Sequence, residues 1–408
     1  MHCRSCEMSL KPFMSFGQQP IANGFIESSA IGNEYFYELE VAVCPGCGLF
    51  QLVTQPDAGM MFHKNYAFFS KSSKGMQRHF SAFADYVRQN FLTSASPFVV
   101  EIGSNDGILL QNFADWNIAH LGIEPSQNVF EEAKRNGVET LCAFFSEDTS
   151  DKVCDQYGKA DAIISANVIC HIPDINSVAK GIVKLLKPEG VFIFEDPYLG
   201  DVVGKTSYDQ IYDEHVFLFC VGSVKNIFEK FGLTLLDVLP QTTHGGSMRY
   251  VLGRQQYHEI SDNVQKQIAK ETALGLSLDS TYDAFRNNCE KSRADLVKLL
   301  TELKAKKKKV VGYAATSKST TVLNYCNIGS DLIDFISDTS PEKQNKLSPG
   351  KHIPVKSHDE FVANYPDYAV LFAWNHEAEI KSKEKRFEES GGQWVHFVPD
   401  VRIDEPIQ

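Results

Sequence analysis

Short apolar runs alternate with amphipathic segments through the middle of the chain. The runs have the length and β-branched composition of strands, and the segments between them show helical periodicity. Predicted helices span 76–91, 127–136 and 178–186. Predicted strands span 98–102, 119–123, 139–143, 161–165 and 191–195. Strands and helices in this order predict an α/β domain built on a parallel sheet.

The last third of the chain repeats this alternation. A segment of long helical character, residues 261–304, leads to apolar runs that begin at Val310, Leu332, Tyr368 and Trp394. Since each run is followed by a turn or a helical pattern, a second α/β unit is expected here. The long helical segment should connect the two units.

The end of the first predicted strand is the strongest local signal for a ligand site. Small residues follow the strand, including Gly103, Asn105 and Gly107, and they let a ligand approach the backbone and the start of the next helix. Two acids, Glu101 and Asp106, frame this turn. Carboxylates would repel a pyrophosphate but attract a cationic, amino-acid-like cofactor, so the turn favours S-adenosylmethionine over NAD.

Other polar residues follow the neighbouring predicted strands. Glu124 ends the second strand, where an acid can bind ribose hydroxyls, although a solvated loop carboxylate is the alternative. Asn167 and His171 follow the fourth strand, and Tyr198 follows the fifth. Because ligands in open α/β sheets bind at the carboxyl ends of strands, these residues are expected to surround one crevice.

A phenol, a carboxylate and an imidazole occur together at Tyr212, Glu214 and His215. Only histidine titrates near neutral pH without perturbation, so His215 is the natural proton acceptor and the other two could orient it. A helix N-terminus with capping acids would explain the same residues without chemistry.

Two basic residues suit an anionic ligand. Arg249 follows a glycine turn and could bind phosphate or carboxylate, unless this is a simple hairpin turn. Lys318 lies in a turn of small and hydroxyl residues before an apolar helix, which suits a phosphate or nucleotide. Asp338 lies where the ribose acid of a dinucleotide fold would lie, which leaves NAD as a rival ligand.

Four of the ten cysteines form two Cys-x-x-Cys pairs, Cys3 with Cys6 and Cys44 with Cys47. Together they can supply four thiolates to a tetrahedral Zn²⁺, and four thiolates leave no open position for catalysis. Unpaired surface cysteines or two redox pairs are the alternatives. A structural zinc site is predicted.

Composition narrows the classes of function. The 408 residues carry a net charge of −12, which argues against general nucleic-acid binding through a basic surface. No long apolar run and no basic leader is present, so neither a membrane span nor a signal peptide is expected, and a cytoplasmic location follows.

Taken together, these motifs resemble a three-domain family of S-adenosylmethionine-dependent sugar C-methyltransferases, which act on nucleotide-linked keto-deoxysugars. The resemblance covers essentially the whole chain. One departure is the run 315–319, where the family has a smaller, glycine-containing turn. The motifs are the paired cysteines, Tyr66 with the serines after it, and the runs at 101–107, 122–125, 167–171, 212–215, 244–249, 312–315, 349–354 and 373–375.

The resemblance implies a class I methyltransferase domain of Rossmann-like fold over 76–252. It would be flanked by a small zinc-binding domain over 1–75 and a Rossmann-like domain over 253–408 that contributes to nucleotide-sugar binding. His215 would be the base that forms an enolate before methyl transfer, at C3 beside a C4 ketone. The polar groups around the sugar would be Tyr66, His171, Tyr212 and Glu214.

Two rivals remain open from the sequence. An O- or N-methyltransferase would keep the fold and change the acceptor. A nucleotide-sugar oxidoreductase would use the C-terminal unit for NAD. A zinc-containing binding module without chemistry is disfavoured by the clustered His, Tyr and Glu side chains.

Overall fold

A small antiparallel sheet organises the N-terminal region. In this computed structural model, which describes residues 1–61 and 74–405, the sheet has the strand order β1-β2-β3-β9. Its strands are β1 (Pro12–Pro20), β2 (Phe36–Val43), β3 (Phe50–Leu52) and β9 (Phe217–Leu218). The last strand comes from much later in the chain, directly after the predicted base His215. The N-terminal region is therefore built into the same structure as the middle of the chain.

The middle of the chain forms a seven-stranded sheet with the order β10-β11-β8-β7-β4-β5-β6. The strands β8, β7, β4, β5 and β6 are parallel to one another. At one side of the sheet, β11 pairs antiparallel with β8, and β10 pairs antiparallel with β11. Its strands are β4 (Phe98–Ile102), β5 (Ala119–Ile123), β6 (Thr140–Leu141), β7 (Ala160–Ala166), β8 (Leu186–Pro197), β10 (Thr234–Gln241) and β11 (Ser247–Gly253). The predicted α/β domain is confirmed, with β4 in the interior of the sheet between β7 and β5.

Helices cover this sheet and follow the predicted periodicity. The helices up to β10 are α1 (Ala58–Met61), α2 (Lys74–Phe91), α3 (Leu110–Asp115), α4 (Gln127–Arg135), α5 (Glu147–Tyr157), α6 (Ile175–Leu185), α7 (Leu199–Lys205) and α8 (Val221–Phe228). All five residues of β4 are buried, as expected for a central parallel strand with both faces covered.

Two strand predictions differ in length from the structure. β6 spans two residues instead of the five predicted, because it lies at the sheet edge and Leu141 faces solvent. β8 begins directly after α6 and runs through Pro188 to Pro197, so it is longer than the predicted strand 191–195. The pairing of β7 with β8 shifts register between Leu186 and Val191, and this irregularity accommodates the proline.

The C-terminal region is a second α/β unit, as predicted. Its sheet has the order β14-β13-β12-β15-β16-β17, parallel except for β17. The strands are β12 (Val310–Tyr313), β13 (Ile336–Asp338), β14 (Val355–Ser357), β15 (Tyr368–Leu371), β16 (Gln393–His396) and β17 (Arg402–Ile403). The helices after β12 are α11 (Ser317–Tyr325), α12 (His358–Ala363), α13 (Glu377–Lys383) and α14 (Lys385–Glu389).

The connecting segment is two helices and not one. α9 (Asp262–Leu274) ends at Gly275, which has φ +69° and caps the helix in the left-handed conformation. α10 (Asp279–Ala305) then leads into β12. Among the described residues, no helix has both the length and the apolar composition needed to cross a membrane.

Candidate active site

A cavity of about 420 Å³ lies at the carboxyl edge of the seven-stranded sheet. The N-terminal region, the middle sheet and the C-terminal unit all contribute to its walls. Ten of the predicted site residues line it: Glu101, Gly103, Asn105, Glu124, Asn167, His171, Tyr212, Glu214, His215 and Lys318. Parallel strands bring their carboxyl ends to one edge, which explains why residues so distant in sequence meet here.

One half of the cavity is acidic. Glu101 and Glu124 end the adjacent strands β4 and β5. The Glu124 carboxylate accepts hydrogen bonds from the backbone N–H of Asn105 at 3.0 Å and of Ser126 at 2.8 Å, which fix it at the cavity wall. Burial, together with the charges of Asp106 and Glu124, raises the pKa of Glu101 well above its ordinary value. A cation in this half would relieve the repulsion among the three acids.

Glu101 also has an oxygen available for a ligand. Its Oε2 is buried and has no hydrogen-bond partner within the described part of the chain. The same is true of Asn167 Oδ1, on the neighbouring strand β7. Buried polar atoms normally have partners, so these two oxygens fit the donor groups of a bound amino-acid-like cofactor. The residues present therefore suit S-adenosylmethionine.

The turn after β4 needs glycine at residue 103. Gly103 has φ +70°, and a Cβ there would lie 2.4 Å from Val168 Cγ2. Asn105 and Asn167 also have positive φ, a conformation that asparagine tolerates better than most residues. The small residues predicted in this turn are thus explained by backbone geometry and by close packing of β4 against the loop after β7.

The other half of the cavity contains an imidazole with a defined acceptor nitrogen. His215 Nδ1 lies 2.7 Å from the backbone carbonyl oxygen of Gln210, which can only accept, so Nδ1 carries the proton. Nε2 then has a free lone pair and accepts a hydrogen bond from the Tyr212 hydroxyl at 2.9 Å. Burial, with His171 nearby, lowers the pKa of His215 well below its ordinary value. His215 is therefore neutral and can accept a proton at physiological pH.

His171 completes this group. Its ring stacks on that of His215, with 5.3 Å between centroids. Burial lowers the pKa of His171 to about 4, so it is also neutral near pH 7. Two neutral imidazoles and a phenol can exchange a proton without placing a fixed positive charge beside the cofactor.

Asn23 was not predicted, yet it lines the cavity from the N-terminal region. Its Nδ2 donates to Glu214 Oε1 at 2.6 Å, and its Oδ1 accepts from the Ser317 hydroxyl at 3.0 Å. The Asn23 side chain thus connects residues 212–215, the Tyr-x-Glu-His segment, to the start of α11. The only sequence signal is an Asn-Gly pair after a strand, which usually marks nothing more than a turn.

Two buried lysines give the cavity a basic side. Lys318, in the first turn of α11, is 8% exposed. Its Nζ lies 3.5 Å from the backbone oxygen of His244, 3.5 Å from Asn375 Oδ1 and 5.7 Å from the ring centroid of Trp374. It forms no ion pair with any described residue, and burial lowers its pKa to about 8. Lys343, which the sequence did not indicate, lines the same cavity, and burial lowers its pKa as well. An anionic ligand would compensate both charges.

The structure corrects the expectation that Tyr198 and Arg249 face the crevice. The Tyr198 hydroxyl is buried against α9, where it donates to Glu271 Oε1 at 2.9 Å and accepts from Gln267 Nε2 at 3.0 Å. The Arg249 guanidinium forms a buried ion pair with Glu195 and lies 4.0 Å from the ring centroid of Phe83. Neither side chain lines the cavity, because each already has an internal partner.

Two further predicted residues, both described by the structure, stand apart from the cavity walls. Asp106 is buried beside Glu101 and acts through its charge, and the backbone N–H of Gly107 donates to Ser104, which closes the turn. Neither lines the cavity. Tyr66 lies outside the described residues.

The zinc prediction is met by a cluster of four sulfurs. The Sγ atoms of Cys3, Cys6, Cys44 and Cys47 all lie within 4.8 Å of one another. Cys3 is 3.6 Å from Cys47 and Cys6 is 3.3 Å from Cys44, close to the sulfur–sulfur spacing of about 3.8 Å that a tetrahedral site with Zn–S bonds of about 2.3 Å requires. Gln51 Nε2 donates to Cys3 Sγ at 3.3 Å and supports the cluster from outside.

Comparison with protein families assigns all three regions of the chain. A zinc binding domain matches residues 3–62, a methyltransferase domain matches residues 76–238, and a C-methyltransferase C-terminal domain matches residues 242–399. These matches agree with the four-cysteine cluster and with the cofactor half of the cavity. The domain boundaries at 75 and 252 stay predictions.

Two relatives of known function that are similar to this chain are also methyltransferases. The chain is 32% identical over 394 residues to the C-methyltransferase NovU of Streptomyces niveus, which covers 96% of this chain and 93% of that protein. A ubiquinone biosynthesis O-methyltransferase of Bartonella bacilliformis is 26% identical over 103 residues, 24% of this chain and 42% of that protein. Among solved structures, magnesium protoporphyrin IX methyltransferase of Synechocystis PCC 6803 with bound SAM covers 44% of this chain and 80% of its own, at 14% identity and a TM-score of 0.34.

Proposed function

This chain belongs to the three-domain family of S-adenosylmethionine-dependent C-methyltransferases, and from that premise we propose that it methylates C3 of a nucleotide-linked 4-keto-deoxysugar. Bound S-adenosylmethionine supplies an electrophilic methyl group on a positively charged sulfur. The acceptor carbon must lose a proton before it can attack that methyl group, and a neighbouring ketone makes the proton acidic enough to remove.

His215 is the proposed proton acceptor, with Tyr212 as its helper. The supporting observation is the hydrogen-bonded pair itself: a neutral imidazole whose Nδ1 is held by a backbone carbonyl and whose Nε2 faces the Tyr212 hydroxyl. The proton leaves the sugar carbon for this pair and ends on Nε2, and the electron pair of the C–H bond moves into the enolate. The new carbon–carbon bond forms as the sulfur–methyl bond breaks.

The acidic half of the cavity is proposed to hold the donor. Glu101 would bind the amino-acid portion of the cofactor, with the charge of the buried Asp106 beside it, and Glu124 would bind the ribose hydroxyls. The turn of Gly103 and Asn105, with Asn167 beside it, would shape the pocket. Since the sulfonium loses its charge during transfer, acids placed at the amino-acid end bind the cofactor without stabilising the sulfonium itself.

The remaining lining residues are assigned to the sugar nucleotide. His171 and Glu214 would orient the sugar, and the resemblance assigns Tyr66 to the same group. The diphosphate would lie near Lys318, whose buried ammonium has no ion-pair partner among the described residues. Lys343, which lines the cavity, would take the role that was expected for Arg249.

The test is methylation of a panel of nucleotide-linked 4-keto-deoxysugars, with mass spectrometry of the products. The protein in D₂O without S-adenosylmethionine should also exchange the C3 hydrogen for deuterium, because enolate formation does not need the methyl donor. A gain of one methyl group without exchange at C3 would instead indicate transfer to oxygen or nitrogen.

His215→Ala should reduce both turnover and exchange by about 10²–10⁴-fold, the range typical of a lost general base. Binding of S-adenosylhomocysteine, measured by calorimetry, should be unchanged because the cofactor half is intact. His120→Ala is the matched control, since His120 lies near the opposite end of β5 from the cavity. Wild-type exchange in His215→Ala would exclude His215 as the base.

A further inference from the structure

His244 lines the active-site cavity and has no role in the function proposed above. It lies in the turn between β10 and β11. Its Nε2 is buried and has no hydrogen-bond partner within residues 1–61 and 74–405. Buried polar atoms of folded proteins nearly always have a partner, so this nitrogen is available to a ligand in the cavity.

The backbone at His244 has a conformation that few residues other than glycine adopt. Its φ is +54° and its ψ is +18°, in the left-handed region. The turn is fixed on both sides by close packing. A Cβ at Gly245 would lie 2.1 Å from Trp374 Cη2, and a Cβ at Gly246 would lie 2.4 Å from the Asp201 carboxylate. Such backbone conformations persist where the surroundings impose them, and they are concentrated in active sites.

One residue fixes His244 relative to the proposed base. The backbone carbonyl of Gln210 accepts the Nδ1–H of His215 at 2.7 Å, and the Gln210 side-chain Nε2 donates to the carbonyl oxygen of His244. Gln210 is itself buried, so both of its contacts are shielded from water. Lys318 Nζ lies 3.5 Å from the same oxygen of His244. His244 is therefore linked both to the base and to the lysine proposed for the diphosphate.

The His244 imidazole is neutral at physiological pH. Burial, together with the positive charge of Lys318, lowers its pKa to about 3. A neutral imidazole has one N–H donor and carries no charge. His244 can therefore donate a hydrogen bond to a substrate oxygen, but it does not carry the second proton that a general acid would transfer.

Enolate formation needs a hydrogen-bond donor. Negative charge develops on the ketone oxygen when the neighbouring carbon loses its proton, and enzymes stabilise such charge with donors that are fixed in advance. Two other donors that line the cavity already have acceptors within the protein. The Tyr212 hydroxyl donates to His215 Nε2, and Lys343 Nζ donates to the backbone oxygen of Ala315 at 2.8 Å. The buried Nε2 of His244 has no such acceptor among the described residues.

We propose that His244 is a further catalytic residue, whose neutral imidazole donates its Nε2–H to the ketone oxygen of the sugar and stabilises the enolate. The proton of the sugar carbon still passes to His215, and the electron pair of the C–H bond moves toward the ketone oxygen. His244 keeps its own proton throughout. The electron pair then forms the new carbon–carbon bond as the sulfur–methyl bond breaks, and the ketone is restored. This inference rests on the function proposed above.

The test separates enolate formation from binding. Asparagine tolerates the left-handed backbone, but its side chain is too short to reach the position of Nε2, so His244→Asn removes the donor and keeps the turn. Exchange of the C3 hydrogen in D₂O without S-adenosylmethionine should slow by about 10²–10³-fold, the range typical of a lost oxyanion donor. The kcat for methylation should fall with it. The KM for the nucleotide keto-sugar and the Kd for S-adenosylhomocysteine should stay near their wild-type values.

Two further variants and a control complete the series. His244→Leu fills the space of the imidazole without an N–H and should slow exchange by the same factor. His244→Gln carries an amide N–H near the position of Nε2 and should recover part of the exchange rate. His352→Asn is the matched control, because His352 also has φ +54°, does not line the cavity and is paired with Glu34. It should exchange at the wild-type rate.

The outcomes distinguish this inference from the function on which it rests. Wild-type exchange in folded His244→Asn or His244→Leu would overturn the role of His244 and leave the proposed function standing. A higher Kd for the free nucleoside diphosphate with an unchanged exchange rate would overturn it too, since His244 would then contact the diphosphate. If the wild-type protein neither exchanges nor methylates any nucleotide keto-sugar, the proposed function itself is overturned.

Discussion

At the scale of single residues, the cavity contains buried groups whose pKa values are displaced from their ordinary range. His171, His215 and His244 all have lowered pKa values because burial disfavours the charged imidazolium, and Lys318 has a lowered pKa for the same reason. Tyr212 and the carbonyl of Gln210 also contact His215 and fix its tautomer. The groups that titrate during catalysis are therefore displaced from their ordinary pH ranges.

The pH dependence of turnover should reflect the lowered pKa values of His215 and Lys318. Activity needs neutral His215, so kcat should be lost only as the pH falls through its lowered pKa, well below 6.5. On the alkaline side, kcat/KM should fall above pH of about 8, where the free enzyme loses the positive charge of Lys318. Steady-state rates between pH 5 and 9.5 measure the alkaline limb and should show no loss of kcat as the pH falls through 6.5.

Lys318→Arg is the control for the alkaline limb. Arginine stays charged throughout this range, so the variant should keep its kcat/KM to higher pH, even if its absolute rate is lower. If kcat/KM falls at the same alkaline pH in Lys318→Arg as in the wild-type protein, a group other than Lys318 causes the fall.

At the scale of elements, the cofactor half is made by strand ends that approach each other closely. The loop after β7 packs against the turn after β4, so that Val168 occupies the space in which residue 103 would have a Cβ. The positive φ values at Gly103, Asn105 and Gly107 curve this turn around the cavity. The site is therefore shaped by backbone contact between two loops as much as by side chains.

Gly103→Ala should weaken cofactor binding by about tenfold or more. It combines the cost of a left-handed non-glycine residue, about 1–2 kcal/mol, with displacement of Val168 from the cavity wall. Calorimetry with S-adenosylhomocysteine measures the effect.

Gly158→Ala is its matched control. Gly158 also has a positive φ, +83°, but a Cβ there meets no atom within 4 Å. This variant should lose a similar amount of stability and keep wild-type cofactor affinity. Equal affinities in both alanine variants would show that the contact with Val168 does not matter for the cofactor.

At the scale of the whole molecule, the N-terminal region with the four-cysteine cluster contacts the segment 212–215, which contains the proposed base. β9, which completes the N-terminal sheet, begins two residues after His215. The backbone N–H of Ala22 donates to Asp213 Oδ1 at 3.1 Å, and Asn23 contacts Glu214. The four-cysteine cluster thus stabilises the sheet that holds the Tyr-x-Glu-His segment in place.

Loss of zinc should therefore lower activity as well as stability. Cys44→Ser should abolish stoichiometric zinc in metal analysis, lower the Tm, and reduce kcat, while the Kd for S-adenosylhomocysteine changes little because the cofactor half lies on another sheet. Cys154→Ser, at a half-buried cysteine outside the cluster, is the control. A folded, zinc-free Cys44→Ser protein with wild-type kcat would show that the two regions are independent.

The sequence by itself determined the parallel strands of the middle sheet and ten of the residues that line the cavity. Hydrophobic periodicity is a local property, so β4 and β5 could be predicted from it. The two Cys-x-x-Cys pairs could be recognised from their spacing, which is also local. The order of strands and helices then places all the carboxyl ends at one edge, which is why Glu101, Glu124, Asn167 and His171 were correctly brought together.

Only the tertiary structure decided which polar side chains are available to a ligand. Tyr198 and Arg249 carry suitable groups at suitable strands, but partners distant in sequence, Glu271 and Glu195, occupy them. Conversely, Asn23 and Lys343 reach the cavity through contacts between regions that no local pattern encodes. Whether a polar group is satisfied internally or faces a cavity depends on long-range packing, and that is the information a periodicity or a motif does not contain.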